Sequence, residues 1–467
     1  MQNNMNPPKN ELHSQLLTTR LLLPGIALLI GAGMTIVFWP GAGTWEVFQF
    51  DLQRKLHLIN DWKSPFVAQI YWLADSVFQS TGPILLLQQA LFWSGLFLVT
   101  RSTFANPFQG VFFFLIVASL PPVWITQIML WKEAWTMCFL ALCLGAIFAY
   151  IKTENRRYAI IAVIAAILLT ATRHNAILLG IPALFIGARL VADRFSKPAL
   201  PKHRFIAIAT FSILIAITLS FNWAVNKKGK QRCHIWHHAL LWDLAALSLS
   251  EGENLIPDAF RKEGKAGSVQ RIWEYFSYYY SDPLFFTKRS PLRLYGTATS
   301  PCDQQLPLDI LLKSWSNAVR NYPGAYLRHR MTYLKYLFDI PDRSRDLWGR
   351  RYYRIDSEFN PKVNRSGAFE KLKKSPLYNL LLSKKILPGW CYIIVFLLSG
   401  LGLLGIKNRE ATCLRFIWLA GMAYLGSFMA IGSGAVMRYL TVYAVLGPAL
   451  LAGRRLVRNR SQTADIH

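Results

Sequence analysis

The sequence predicts an all-α polytopic membrane protein of about ten transmembrane helices, with interfacial helices in the first external loop and a mostly α external domain. Three observations carry this expectation. Apolar residues make up 53% of the chain and are gathered into runs, and runs of about 18 or more match a hydrocarbon layer of about 30 Å. Charged residues are only 16%, below the roughly 25% of soluble domains. The net charge of +27 comes from Lys and Arg that mostly flank the runs, as in membrane proteins whose basic loops face anionic lipid. Nucleic-acid binding would need those charges in one patch, so no nucleic-acid partner is expected.

Spans are expected at 20–39, 82–100, 110–130, 134–151, 158–172, 175–192, 205–224, 389–406, 415–432 and 436–453. The first run is too long for a signal core, and Trp39-Pro40-Gly41 is not a small-residue cleavage site, so it reads as a retained span. The fifth is short, since about 15 residues rise only about 22 Å. Spans five and six alternatively form a re-entrant pair around Arg173.

Orientation follows from the short loops. Lys9, Arg20, Arg101, Lys152, Arg156, Arg157, Arg194, Lys197, Lys202, Arg204, Lys407, Arg409, Arg415 and the Arg454, Arg455, Arg458, Arg460 tail fall on one side of a ten-span chain. That side is expected to be cytoplasmic, with both termini inside. Three segments are left outside: 40–81, the turn at Trp131-Lys132-Glu133, and 225–388. The last is basic, but long translocated regions are exempt from the charge rule. The chain thus divides into an N-terminal membrane module (1–224), an external soluble domain (225–388) and a C-terminal membrane module with a basic tail (389–467).

Within 40–81, stretches 44–59 and 65–79 read as amphipathic helices lying in the interface. In the second, Phe66, Ile70, Leu73 and Val77 share a face. In the external domain, 239–249 and 308–319 read as helices. Cys233 and Cys302 lie there and either pair or stay free, in a compartment that permits disulfides.

Polar residues gather at the outer membrane edge. Glu46 and Asp51 follow span one. Asp61 or Ser64 caps the second interfacial helix. Lys132 and Glu133 open span four, Arg173, His174 and Asn175 sit between spans five and six, and Arg438 opens the last span. Ionisable groups at a membrane edge are costly unless paired or functional. Carboxylates can take a proton from an acceptor hydroxyl, and Arg or Lys can hold a phosphate leaving group. Plainer readings stand beside these. Glu46 is also a solvated helix-start carboxylate, Lys132-Glu133 an exposed turn, Arg173 and Arg438 snorkelling anchors, and His174 a polar turn residue. His234, His237 and His238 with Asp243 nearby form a weak metal-binding pattern. Tyr278-Tyr279-Tyr280 and the tryptophans read mainly as interface aromatics, with sugar stacking the alternative.

The order of these parts resembles the GT-C superfamily of membrane glycosyltransferases, and is similar to poorly characterised bacterial proteins near the family-39 mannosyltransferase-like enzymes. The residues that carry the resemblance are Pro40-Gly41 with Thr44, Glu46 and Gln49; Asp61-Trp62-Lys63-Ser64-Pro65; Lys132-Glu133; Arg173-His174-Asn175; Arg438-Tyr439-Leu440; and Trp242-Asp243-Leu244-Ala245. The resemblance implies Glu46 as catalytic base and Glu133 as second-loop acid. The family usually carries Asp at the first position, and Lys63-Ser64 replaces its His-Pro.

Together these readings give an inverting glycosyltransferase of the inner membrane. A polyprenyl-phosphate sugar would be the donor and a glycan, lipid or protein the acceptor, with membrane lipids as further partners. Lys132, Arg173 and Arg438 would hold the donor phosphate, and Asp51, Asp61, His174, Asn175 and Asp243 would support the site. No cofactor is required by the pattern, and metal use varies among such enzymes, so a divalent cation stays open. A lipid or glycan transporter, an O-antigen ligase or polymerase, and a scaffold binding cell-wall partners are the alternatives.

Overall fold

The computed structural model describes residues 9–42, 47, 50, 64–196, 200–227, 236–262, 268–278, 281–285, 290–293, 307–338, 340, 367, 371, 374–376, 389–433 and 437–464. The side chains of 9–20, 194, 282, 409, 437, 438 and 459–464 are outside this set. Among the described residues the chain is helical and has no strand. Among the described residues, six helices are long and apolar enough to cross a membrane, or seven if one bent pair counts as a single span.

The first, α1 (Lys9–Phe38), ends in a turn at Gly41, whose φ of +105° would strain any other residue. A Cβ there would also overlap Leu130. Ala42 then bridges to the strand-like Met129, with Ala42 N donating to Ile128 O at 2.8 Å and Leu130 N to Ala42 O at 3.0 Å. Helix α2 (Pro65–Phe78) is capped by Ser64, which accepts from Val67 N. It buries Val67, Ala68, Tyr71 and Ala74. Leu73 and Val77, on the apolar stripe of the expected interfacial helix, are 65% and 61% exposed.

Helices α3 (Gly82–Thr103) and α6 (Lys132–Thr153) pack closely along one another. Gly95 and Gly145 make that approach possible: a Cβ on Gly95 would overlap Ala141 backbone, and one on Gly145 would overlap Gly95 itself. The expected third span is broken into α4 (Pro107–Ser119) and α5 (Pro121–Ile128), bent by 66°. Leu120 is extended because Pro121 follows it.

The bundle continues with α7 (Arg156–Thr172), α8 (Ile177–Phe195, after a 3-10 turn at His174–Ala176) and α9 (Pro201–Lys227). It resumes with α10 (Trp236–Glu251), the short helices α11 (Val269–Tyr275) and α12 (Asp282–Phe285), then α13 (Leu308–Asn321) and α14 (Pro323–Leu337). The C-terminal part holds α15 (Gly389–Leu401), α16 (Arg409–Ile431) and α17 (Tyr443–Ala464), the last preceded by a 3-10 turn at Met437–Leu440.

Two expected spans come out differently. The helix expected over 389–406 stops at Leu401, where Gly400, Gly402 and Gly405 weaken helix propensity. The one expected from 436 starts at Tyr443. The fifth is a single 17-residue helix packed between α6 and α8. Of the expected interfacial pair only α2 is described; most of 44–59 lies outside the described residues, as do Cys233 and Cys302.

The bundle has two chemically distinct ends. At one, Lys152 Nζ donates to Arg101 O at 2.8 Å, Arg455 lies over the Phe104 ring, and Asn408 Nδ2 donates to Val457 O. The other end carries the Ala42–Met129 bridge and the polar residues described next.

Candidate active site

Three chain segments bring the site together. Glu133 is in the first turn of α6, where a carboxylate is favoured by the helix dipole. Because α7 runs back along α6, Arg173, the residue that caps α7, reaches the start of α6. Arg173 Nη1 donates to Glu133 Oε1 at 2.5 Å, with side chains 11% and 3% exposed. One turn deeper, the hydroxyls of Thr136 and Thr172 lie 2.9 Å apart and tie the same two helices. The third segment is the far end of α16. Its Phe428 stacks on Tyr439 at 4.8 Å, and the Arg173 guanidinium lies 5.4 Å and 4.8 Å from those two ring centres. Asn175 Nδ2 donates to Ser427 Oγ at 3.0 Å. Arg173 is therefore fixed by a carboxylate and by an aromatic pair. A guanidinium fixed in this way keeps the planar fork that suits phosphate.

The stretch that holds Glu46, Asp51 and Asp61 lies outside the described residues, but both its flanks are pinned here. Ala42 is bonded beside Met129 and Leu130, just before Lys132 and Glu133. Ser64 Oγ donates to Ala171 O at 2.7 Å, two residues before Arg173. Between the flanks, Val47 and Phe50 are buried, and Phe50 O accepts from Trp72 Nε1 at 3.2 Å. Lys132 is half-buried at the first position of α6, and His174 is exposed. Arg438 lies in the Met437–Leu440 turn, beside Tyr439.

Asp243 belongs to a second, fully enclosed centre. It sits mid-helix on α10 with no exposure. Its Oδ2 accepts from Arg330 Nη2 at 2.6 Å and from Trp315 Nε1 at 2.9 Å, and its Oδ1 lies 3.1 Å from His329 Nε2. Arg330 Nη1 donates to Gly432 O at 2.7 Å. Gly432 caps α16, one turn beyond Phe428. Tyr333 is buried one turn along α14 from His329 and Arg330, and its hydroxyl has no hydrogen-bond partner among the described residues. Burial pushes that phenol up, while the nearby charges of Arg330 and Arg173 pull it down. It thus lies between the two centres.

Burial likewise lowers His329 below its ordinary 6.5, against the pull of Asp243, so the imidazole is neutral at pH 7. Burial alone would lower Arg330, but Asp243 and Tyr326 together more than offset it and the guanidinium is held above its usual value.

No protein-family model, curated protein or solved structure matches this chain.

Sequence reasoning named Glu133, Arg173, Asn175 and Asp243, and each lies in one of the two joined centres. It missed Trp315, His329, Arg330 and Tyr333. A signal existed: Tyr322, Tyr326, His329, Tyr333 and Tyr336 repeat at three- and four-residue spacing, which puts them on one face of α14. The histidine pattern does not assemble around Asp243. His234 is outside the described residues, and His238 Nδ1 lies 2.8 Å from Ser433 Oγ. Among the described residues no group of three His, Cys, Asp or Glu could hold a metal ion.

Proposed function

We propose that this chain is an inverting membrane glycosyltransferase of the GT-C type, with ten spans in the inner membrane, both termini cytoplasmic and its site facing outward. The donor is a polyprenyl-phosphate sugar. The observation that carries this reading is the Glu133–Arg173 pair, seated between the two pinned flanks of the Glu46 segment. The basic loops at the opposite end support the orientation.

In this reading Glu46 takes the proton of the acceptor hydroxyl. The freed oxygen pair attacks the anomeric carbon from the face opposite the phosphate. The bond from that carbon to the phosphate oxygen breaks, its electron pair leaves with the polyprenyl phosphate, and the configuration inverts. Arg173, Lys132 and Arg438 meet the growing phosphate charge, and Glu133 orients Arg173.

The test is transfer by purified protein in proteoliposomes, using polyprenyl-phosphate sugars extracted from the native membrane. Arg173→Gln is expected to cut turnover about 10²–10³-fold. Unchanged transfer by well-folded Glu46→Gln removes the base assignment, and unchanged surface glycans by mass spectrometry after deletion sink the reading as a whole.

The 66° break between α4 and α5 favours a second reading, a lipid or glycan transporter, because discontinuous helices line transport paths. Movement of a lipid-linked sugar across vesicles without any transfer would select it.

A further inference from the structure

A cleft of about 410 Å³ opens between α10 and α11, away from the Glu133–Arg173 pair. Ala246, Leu249, Ser250, Trp273, Phe276 and Tyr278 line it. Its size falls in the roughly 300–1,000 Å³ range of small-molecule sites. We propose that this cleft binds an uncharged oligosaccharide, and that, resting on the transferase reading, it holds the non-reacting part of a glycan acceptor.

Three features select this ligand. First, the rings are fixed before anything binds. Phe276 lies parallel to buried Trp242 at 5.6 Å and 17°, while Tyr278 stands at 89° to Phe276 and stacks on Tyr336 at 5.3 Å. Such a corner offers a flat face and an edge, which suits the C–H face of a pyranose, and its rigidity lowers the ordering cost of binding. Second, Trp273 is 67% exposed although it is large and apolar. It stands at the mouth of the cleft, on a helix whose Ile272 is fully buried. An isolated exposed apolar residue is ordinary, but one at the rim of an aromatic cleft is placed for contact. Third, no charged side chain is among the described residues that line the cleft, while Ser250 and the Tyr278 phenol supply hydroxyls. An anionic glycan would find no cation among these residues, and a lipid tail would be better served by an enclosed wall without hydroxyls.

The rear wall joins the cleft to the site. The Tyr278 hydroxyl lies 3.3 Å from His329 Nδ1, whose other nitrogen meets Asp243. Asp243 holds Arg330, and Arg330 holds the Gly432 carbonyl at the end of α16. A sugar chain seated on Tyr278 is thereby held in a fixed relation to the helix end that carries Phe428 against Arg173.

The full chain in nanodiscs is titrated with cellotetraose, mannotetraose and chitotetraose while tryptophan fluorescence is followed. At least one sugar is expected to quench saturably. Trp273→Ala should weaken that sugar about tenfold, the scale of one lost stacking contact, and Ser250→Ala should weaken it less. Trp223→Ala, an exposed tryptophan on α9, should leave it unchanged. The proposal is overturned if none of the three sugars quenches, if Trp273→Ala binds as well as the unaltered protein, or if only dodecyl phosphate competes for Trp273. The two readings fail separately. Sugar binding that survives in protein showing no transfer keeps the cleft and removes the transferase. Transfer that persists in Trp273→Ala with an unchanged acceptor KM removes the cleft's acceptor role.

Discussion

The two ionic centres of this protein use the same groups to opposite ends. At Asp243, three donors from α13 and α14 converge on a carboxylate with no exposure, and its main cation is also bonded to a backbone carbonyl. At Glu133, a 2.5 Å contact joins acid to arginine, and that arginine keeps 11% of its side chain exposed beside two stacked rings. A centre closed on every side is a clamp, fastening the segment after α9 to the end of α16. A centre with an open edge can exchange one partner for a substrate oxygen. The difference between them is accessibility, since both pairs combine a carboxylate with a guanidinium.

The largest effect is expected at the clamp. Asp243→Asn leaves Arg330 buried beside a neutral amide, which should lower unfolding free energy by about 3–5 kcal/mol, read by thermal unfolding in detergent. Glu133→Gln should cost less stability, because Arg173 keeps its open edge and its rings, yet cut sugar transfer about a hundredfold, roughly 2.7 kcal/mol. Equal losses of stability for the two variants would erase the distinction between clamp and site. Gly432→Ala comes next: its Cβ would overlap the Tyr333 hydroxyl and the Phe428 carbonyl, with an overpacking cost of about 1–3 kcal/mol. Adding Tyr333→Phe removes the overlapping oxygen and should recover part of the loss in melting temperature.

The smallest effect concerns pH. His329 titrates below 6.5 when folded, so between that lowered value and 6.5 the unfolded chain binds more protons. Stability is therefore full above 6.5 and is lost as pH falls through the folded value. His329→Gln should flatten that acid limb, and an unchanged acid limb would show that this imidazole is not buried in the neutral form.

Much of this was legible in the chain. Apolar runs located six helices of membrane length among the described residues, edge polarity singled out Glu133, Arg173 and Asn175, and Asp243 was named beside the histidines and in the Trp242-Asp243-Leu244-Ala245 element. The clamp's partners were harder to see, since Trp315, His329 and Arg330 lie 72, 86 and 87 residues from Asp243. No local spacing connects residues so far apart. The fate of span three was written in Pro121-Pro122, but the 66° bend was not.

Helix α2 shows where a one-dimensional reading must stop. The apolar stripe at Phe66, Ile70, Leu73 and Val77 marked an interfacial helix but not the face it turns to the protein, which buries Val67, Ala68, Tyr71 and Ala74. In a bilayer the surroundings are as apolar as the core, so hydrophobicity no longer tells inside from outside. The same ambiguity spans the bundle: α6 and α9 have similar hydropathy, 2.0 and 2.1, but 89% of one and 6% of the other is buried. Sequence alone determined that these segments are helical and membrane-length, because that depends on composition and local backbone geometry. Which face packs, and which distant charges meet, was decided by tertiary structure, because only close approach of backbones and paired charges distinguishes protein from lipid.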